Sequence, residues 1–215
     1  MSGWKADLLL FDFDGTLIDS KFDIATSVNL TLEELGLPER SVEEIFSFVG
    51  DGVKRLLRLS VGDGSEDRYE AALGIFRSHY LRHCVKTTTF YPGIEEVLRH
   101  YRGRKRAIVT NKSPEYTQCI VEGLRATNLF HAVEGARDVT DLKPEPVMLQ
   151  RVLASLSVSP DQTVMIGDST NDVRAAQAAG VKACAVGYGY GNREKVLALK
   201  PDFYCEGPQD LLNLF

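Results

Sequence analysis

The residues Leu8-Leu9-Leu10-Phe11 form an unbroken apolar run that stops on Asp12-Phe13-Asp14-Gly15-Thr16. A short continuous run suits a strand covered on both faces, the habit of parallel sheets rather than of half-exposed antiparallel ones. Asp12 and Asp14 sit where that strand must end. Positions i and i+2 of an extended chain project to one side. Two carboxylates therefore meet beside a buried element, where they repel and are costly to desolvate. A divalent cation held by oxygen is the simplest relief. The same residues would also suit an ordinary Asp- and Gly-rich turn. Gly15 lets backbone approach a ligand closely, and Thr16 adds a hydroxyl.

After Ser20 the periodicity becomes helical. Ile24, Val28, Leu32 and Leu35 recur at helical spacing, and Gly36 is placed to end that helix. Ser41-Val42-Glu43-Glu44 reads as a capping box opening a second helix. Gly50-Asp51-Gly52 interrupts it, and Val53, Leu56 and Leu57 begin a third. Gly62-Asp63-Gly64-Ser65 is a turn, after which Tyr69, Leu73, Phe76 and Tyr80 mark a fourth helix. From Tyr91 onward helix and strand alternate. Strands are predicted over 106–110, 130–134, 163–167, 181–186 and 203–205, with helices opening at Pro92, Pro114, Pro144, Asn171, Arg193 and Pro208. This order implies an α/β fold, a doubly wound parallel sheet with a Rossmann-like core and an inserted α-helical cap. The core is expected over 1–17 and 90–215, the cap over 18–89. Hinges are expected near 17–21 and 85–90, where the chain crosses between the two.

Composition narrows the partners. Lys+Arg 25 against Asp+Glu 30 gives a net charge of −5, which offers no general attraction to nucleic acid or an anionic membrane. The one basic cluster, Arg102, Arg104, Lys105 and Arg106, precedes an apolar run and suits a solvated helix end. No apolar run approaches membrane-spanning length, and the Met1 end has no signal-peptide pattern. Cys84, Cys119, Cys184 and Cys205 form no C-x-x-C pair, so reduced thiols in a cytoplasmic protein are expected. His79 and His83 lie four apart on the fourth helix, where packing is the simpler account than a metal.

Three more polar clusters follow predicted strands or open the next helix: Thr110-Asn111, Lys143-Pro144, and Gly167-Asp168-Ser169-Thr170-Asn171-Asp172. Singly, Thr110 suits a helix cap, Lys143 a solvated lysine, and Asp168 and Asp172 a cap and a first-turn acid. In this order, together with Asp12-Phe13-Asp14-Gly15-Thr16, they resemble the four-part signature of the haloacid dehalogenase superfamily. The resemblance spans nearly the whole chain, although the helical insertion matches only in size and position. Within the family, Tyr91-Pro92-Gly93, Thr110-Asn111-Lys112 and the Gly-Asp-Ser-x-x-Asp run are most similar to the phosphoglycolate phosphatase group.

The resemblance implies a role for each cluster. Asp12 would be the nucleophile, forming an aspartyl-phosphate, and Asp14 would protonate the leaving oxygen and then activate water. Mg²⁺ would be held by Asp12, the Asp14 carbonyl and Asp168, with Asp172 as a direct or water-mediated ligand. Thr110, the Asn111 backbone and the Gly15 N–H would bind phosphoryl oxygens, and Lys143 would neutralise charge on nucleophile and phosphoryl group. An acid at position 14 points to C–O–P cleavage, since the dehalogenase and phosphonate-cleaving branches look different there. The implied partner is a small phosphorylated metabolite, and the implied assembly a monomer or homodimer. A phosphomutase of the β-phosphoglucomutase kind and a pyrophosphatase are the alternatives. A non-enzymatic binding protein would be free to lose Asp12, Asp14 or Lys143, and none is missing.

Two features stay open. Gly52, Lys54 and Arg55 mark a glycine-flanked helix start that could receive an anion or could be a plain helix–helix turn. Gly187-Tyr188-Gly189-Tyr190-Gly191 does not fit G-x-G-x-x-G and is expected to form a loop near the cap.

Overall fold

In the computed structural model of the protein, which describes residues 4–62 and 64–215, the apolar run becomes β1 (Leu8–Phe11), buried at every residue. A two-residue strand, β2 (Ile18–Asp19), follows. Next come α1 (Lys21–Glu34), α2 (Val42–Phe46), α3 (Val53–Val61) and α4 (Glu66–His83). The chain returns through β3 (Thr89–Phe90), which pairs antiparallel with β2. The remainder alternates: α5 (Ile94–His100), β4 (Lys105–Thr110), α6 (Pro114–Gly123), β5 (Ala132–Gly135), α7 (Val147–Leu156), β6 (Thr163–Gly167), α8 (Thr170–Ala179), β7 (Lys182–Val186), α9 (Arg193–Ala198) and β8 (Phe203–Cys205). The turn read at Gly62-Asp63-Gly64-Ser65 includes Asp63, which lies outside the described residues, as does the Met1 end.

Six strands form one parallel sheet in the order β5-β4-β1-β6-β7-β8. Alternate residues of β1 serve opposite faces. Leu9 and Phe11 pack with Ile108, Val164 and Ile166, while Leu8 and Leu10 pack with Ala107, Val109 and Met165. This is why the run shows no polar alternation. The chain leaves β1 toward β4 and β5, then returns to its other side with β6. The sheet therefore reverses direction at β1, and crevices at such switch points are where ligands bind in open α/β sheets. Asp12 and Asp14 lie at that carboxyl end.

The helical segment joins the sheet through the β2–β3 pair, a ladder the sequence did not reveal because each strand is only two residues long. A buried carboxylate ties the two crossings. Asp23, in the first turn of α1, accepts hydrogen bonds from the backbone N–H and hydroxyl of both Thr87 and Thr88 at 2.7–3.0 Å. Burial alone would push its carboxyl up, but those four donors outweigh it and hold the group below its usual value. The thiols of Cys84 and Cys119 lie 2.9 Å apart across the α4–α6 contact, and all four cysteines are free.

Several boundaries move. α7 opens at Val147 rather than Pro144, because the Asn111 side chain holds both the N–H and the C=O of Lys143 and keeps that backbone out of a helix. The terminal segment at Pro208–Asn213 is 3-10 rather than α. Ser41 caps α2 by accepting from the Glu44 N–H at 3.1 Å. The Glu44 carboxylate turns to Arg40. His79 pairs with Glu34 at 2.7 Å instead of joining His83 around a metal.

Candidate active site

Asp12 lies one residue beyond β1, Thr110 ends β4, and Asp168 follows β6, so parallel strand ends converge these groups without a loop having to reach. Lys143 arrives from the turn before α7. Its ammonium is buried and has three N–H donors, each with an acceptor: Asp12 Oδ1 at 2.8 Å, Asp172 Oδ1 at 2.6 Å and the Val109 carbonyl at 2.8 Å. Burial works against the charge, but Asp12 and Asp172 outweigh it and hold the Lys143 pKa above its usual value.

Asp168 and Asp172 straddle the start of α8, which brings both toward Asp12. One oxygen from each of Asp12, Asp168 and Asp172 falls in a group whose members all lie within 4.8 Å of one another. Burial pushes Asp12 up to about 6, with Asp172 adding and Lys143 opposing. Burial pushes Asp168 up to about 7, with Asp172 and Asp12 adding to it. Burial, with their repulsion from neighbouring carboxylates, makes Asp12 and Asp168 resist carrying charge. An all-oxygen set of this kind fits a hard divalent cation. Asp172 Oδ1 accepts from Lys143. Its second oxygen already accepts from the N–H of Ser169 at 2.9 Å and from its hydroxyl at 2.7 Å, in a capping box.

Gly15 adopts φ +84°, and a Cβ there would stand 2.6 Å from Asp168 Oδ2, so only glycine fits. Its N–H, however, donates to the Ile18 carbonyl at 2.9 Å. The phosphoryl contact expected of that N–H is already spent on closing the turn. Asn111 faces two ways. Its side chain donates to Lys143 O and to Gly50 O of the cap, at 3.0 and 2.9 Å.

The Gly187–Gly191 stretch, expected to form a loop near the cap, cradles Asp168. The N–H groups of Tyr190 and Gly191 donate to Asp168 Oδ2 at 2.6 and 3.0 Å. A Cβ at Gly189 would fall 2.2 Å from Gly15 O, which explains a glycine there. The Tyr190 hydroxyl accepts from the Ser20 N–H at 2.9 Å, tying this loop to the crossing that enters the cap. Three more polar residues join the site: Thr16, whose hydroxyl was noted in the sequence, and Ser20 and Lys112, which were given no role there. Thr16 donates to Asp168 Oδ1 at 3.2 Å, and Ser20 donates to Asp14 Oδ1 at 2.5 Å. Lys112 is the third: its ammonium lies 2.9 Å from Asp14 Oδ2 and donates to the Tyr80 hydroxyl at 2.9 Å. Its signal was present in the Thr110-Asn111-Lys112 run, but nothing local shows which way a lysine points.

Asp12, Asp14, Thr110, Lys112, Lys143 and Asp168 line a cleft between sheet and cap. The cap wall is apolar, with Val49, Val53, Leu56 and Phe76, and Tyr80 at its edge. Gly52 lines the cleft, but Lys54 and Arg55 do not. Both are exposed, and Arg55 pairs with Asp51 at 3.0 Å, because the α3 turn that carries them faces solvent. Asp51 also accepts from Asn171 at 2.8 Å, a second tie between cap and core.

A family model described as "Haloacid dehalogenase-like hydrolase" matches residues 9–186 of the chain. A phosphoglycolate phosphatase of Pseudomonas putida is 33% identical over 213 residues, covering 95% of this chain and 78% of that protein. A phosphoglycolate phosphatase of Aquifex aeolicus is 34% identical over 209 residues, covering 96% and 95%. Among solved structures, a predicted phosphoglycolate phosphatase from Haemophilus somnus superposes with a TM-score of 0.90 at 28% identity, covering 96% of each chain. No helix among the described residues is long and apolar enough to cross a membrane.

Proposed function

The chain belongs to the haloacid dehalogenase-like hydrolases, and from that premise we propose a Mg²⁺-dependent phosphatase acting on a small phosphorylated metabolite, 2-phosphoglycolate first among candidates. The observation that carries this reading is the Asp12–Lys143–Asp172 chain beside Asp168. It combines a nucleophile, a fixed positive charge and an oxygen cluster suited to a divalent cation in one buried corner.

Phosphate-monoester hydrolysis is among the slowest uncatalysed reactions, so positioning and charge stabilisation must supply most of the acceleration. An Asp12 carboxylate oxygen attacks phosphorus as the bond to the leaving oxygen breaks, and Asp14 gives that oxygen a proton. Asp14 then takes a proton from water, which attacks the phosphorus of the aspartyl-phosphate and frees Asp12 and inorganic phosphate. Lys143, its donors held within the protein, keeps the Asp12 carboxylate oriented and offsets phosphoryl charge through its field, and the Thr110 hydroxyl would donate to a phosphoryl oxygen. Mg²⁺, held by Asp12, the Asp14 carbonyl and Asp168, would offset phosphoryl charge when bound. Asp172 would hold Lys143 in place and would meet the cation directly or through water. Four free thiols suit the reducing cytoplasm.

The test is phosphate release across a panel of metabolite monoesters, with and without Mg²⁺, plus a bisphosphorylated sugar followed for isomerisation. Mg²⁺-dependent release supports the reading. Isomerisation without release would replace it with a mutase.

A further inference from the structure

We propose that Lys112 is the specificity-determining residue of this phosphatase, its ammonium receiving a carboxylate carried on the leaving-group half of the substrate. The inference rests on the phosphatase reading above and assigns a residue to its substrate preference.

Two cations line the cleft among the described residues, Lys143 and Lys112. All three Lys143 donors are spent within the protein. Lys112 differs. Its side chain is buried, yet two partners, Asp14 Oδ2 and the Tyr80 hydroxyl, leave one of its three N–H donors for a ligand. A buried ammonium with donor capacity left over favours an anion.

Position fixes which part of the substrate that anion belongs to. Lys112 Nζ stands beside Asp14, the residue that serves the leaving oxygen, and on the opposite carboxylate oxygen from Ser20. In a 2-phosphoglycolate-like ester the carboxylate oxygens lie roughly 3 Å from the leaving oxygen by ordinary bond lengths. A group in contact with Asp14 therefore places its neighbouring carboxylate within reach of Lys112. The Tyr80 hydroxyl, brought in by α4 of the cap, closes the same corner, with its ring stacked on Phe76 at 5.2 Å and edge-on to Tyr116 at 5.1 Å. Beyond it the cap wall is apolar. A single ammonium suits a carboxylate better than a second phosphate dianion, which calls for several cations or a bidentate guanidinium. The cleft offers neither.

The experiment compares 2-phosphoglycolate with its neutral isostere 2-phosphoglycolamide, on the wild type, Lys112→Met and Lys112→Arg. In the wild type the ratio of kcat/KM, acid over amide, should be about 10- to 100-fold, the effect of a charge-assisted hydrogen bond. In Lys112→Met that ratio should collapse toward one, chiefly through a higher KM for the acid, and Lys112→Arg should restore part of it. Equal loss on both substrates in Lys112→Met would show that Lys112 serves only Asp14 or the fold, and would overturn the assignment. The wild-type comparison needs no variant to fold: equal turnover of acid and amide overturns the carboxylate contact while leaving the phosphatase intact. Hydrolysis of no monoester at all would instead overturn the proposed function.

Discussion

On the core wall of the cleft, each charged side chain is fixed by partners from other elements. On the cap wall the lining is apolar, and hydrogen bonds of Asn111, Asn171 and Lys112 and the Arg77–Glu115 pair tie the cap across to the core. Lys143 is held by Asp12, Asp172 and Val109, and Asp168 by Tyr190, Gly191 and Thr16. The cap loop meets the core through Asn111 to Gly50 and Asn171 to Asp51. Chemistry that needs fixed charge belongs on strand ends locked into a sheet, whereas a wall that admits a substrate must be able to leave. The difference predicts that core substitutions act on the reaction and cap substitutions act on selection and access.

The largest effect should come from Asp12→Asn, which removes the proposed nucleophile. Phosphate release should fall at least about 10⁴-fold at saturating substrate. A cap substitution with a loss as large would break the distinction between the walls. Asp14→Asn should cost about 10²- to 10⁴-fold in steady-state turnover. With p-nitrophenyl phosphate, whose leaving group needs no proton, this variant should release about one equivalent of nitrophenol in a burst and then stall. Absence of a burst with full steady-state activity would remove Asp14 from both half-reactions.

The raised carboxyls give the core a pH signature. The folded values, about 6 for Asp12 and about 7 for Asp168, exceed the ordinary value of 3.8. Between 3.8 and these values the folded protein binds more protons than the unfolded chain, so the metal-free protein loses stability as pH rises through that window. Cation binding competes with those protons. The rise in melting temperature on adding Mg²⁺ should therefore be larger at pH 8 than at pH 5, and should vanish in Asp168→Ala. A shift of equal size at both pH values would contradict the carboxylate cluster as the binding site.

Asp23 offers the contrasting case at the cap stem. Asp23→Ala leaves four donors on Thr87 and Thr88 without an acceptor and should cost about 2–3 kcal/mol in urea unfolding. Its lowered folded value means that its contribution is present above 3.8 and is lost as pH falls through that lowered value. A wild-type-like unfolding curve at pH 7 would remove Asp23 as the tie between the crossings. The smallest effect should be Asn171→Ala, which severs one cap–core tie. KM should move by only a few-fold with kcat nearly unchanged.

The same contrast explains what could be read in advance. Core strands announce themselves locally: Leu8–Phe11 is apolar throughout because both faces are covered, and Asp12, Asp168 and Asp172 follow at fixed offsets. The helix order of the cap was legible for the same reason, from 3.6-residue periodicity. What escaped depends on partners distant in sequence. The β2–β3 ladder joins residues about seventy apart. Lys143 leaves the helix that its proline promised because Asn111 holds its backbone. The Gly187–Gly191 stretch carries its meaning in backbone N–H groups aimed at Asp168, which no residue-type pattern reports. Of the two readings open for Lys54 and Arg55, the solvated one fits, while Lys112 looked like the tail of a motif and turns inward.

The central claim, that the core wall performs the chemistry through Asp12, is tested most directly by trapping its intermediate. Asp14→Asn loaded with Mg²⁺ and mixed with p-nitrophenyl phosphate should be acid-quenched during the burst and digested for mass spectrometry. The account predicts an addition of one phosphoryl group, about 80 Da, on the peptide containing Asp12, in proportion to the nitrophenol released. Nitrophenol release with Asp12 unmodified, or a phosphoryl group on any other residue, would contradict it.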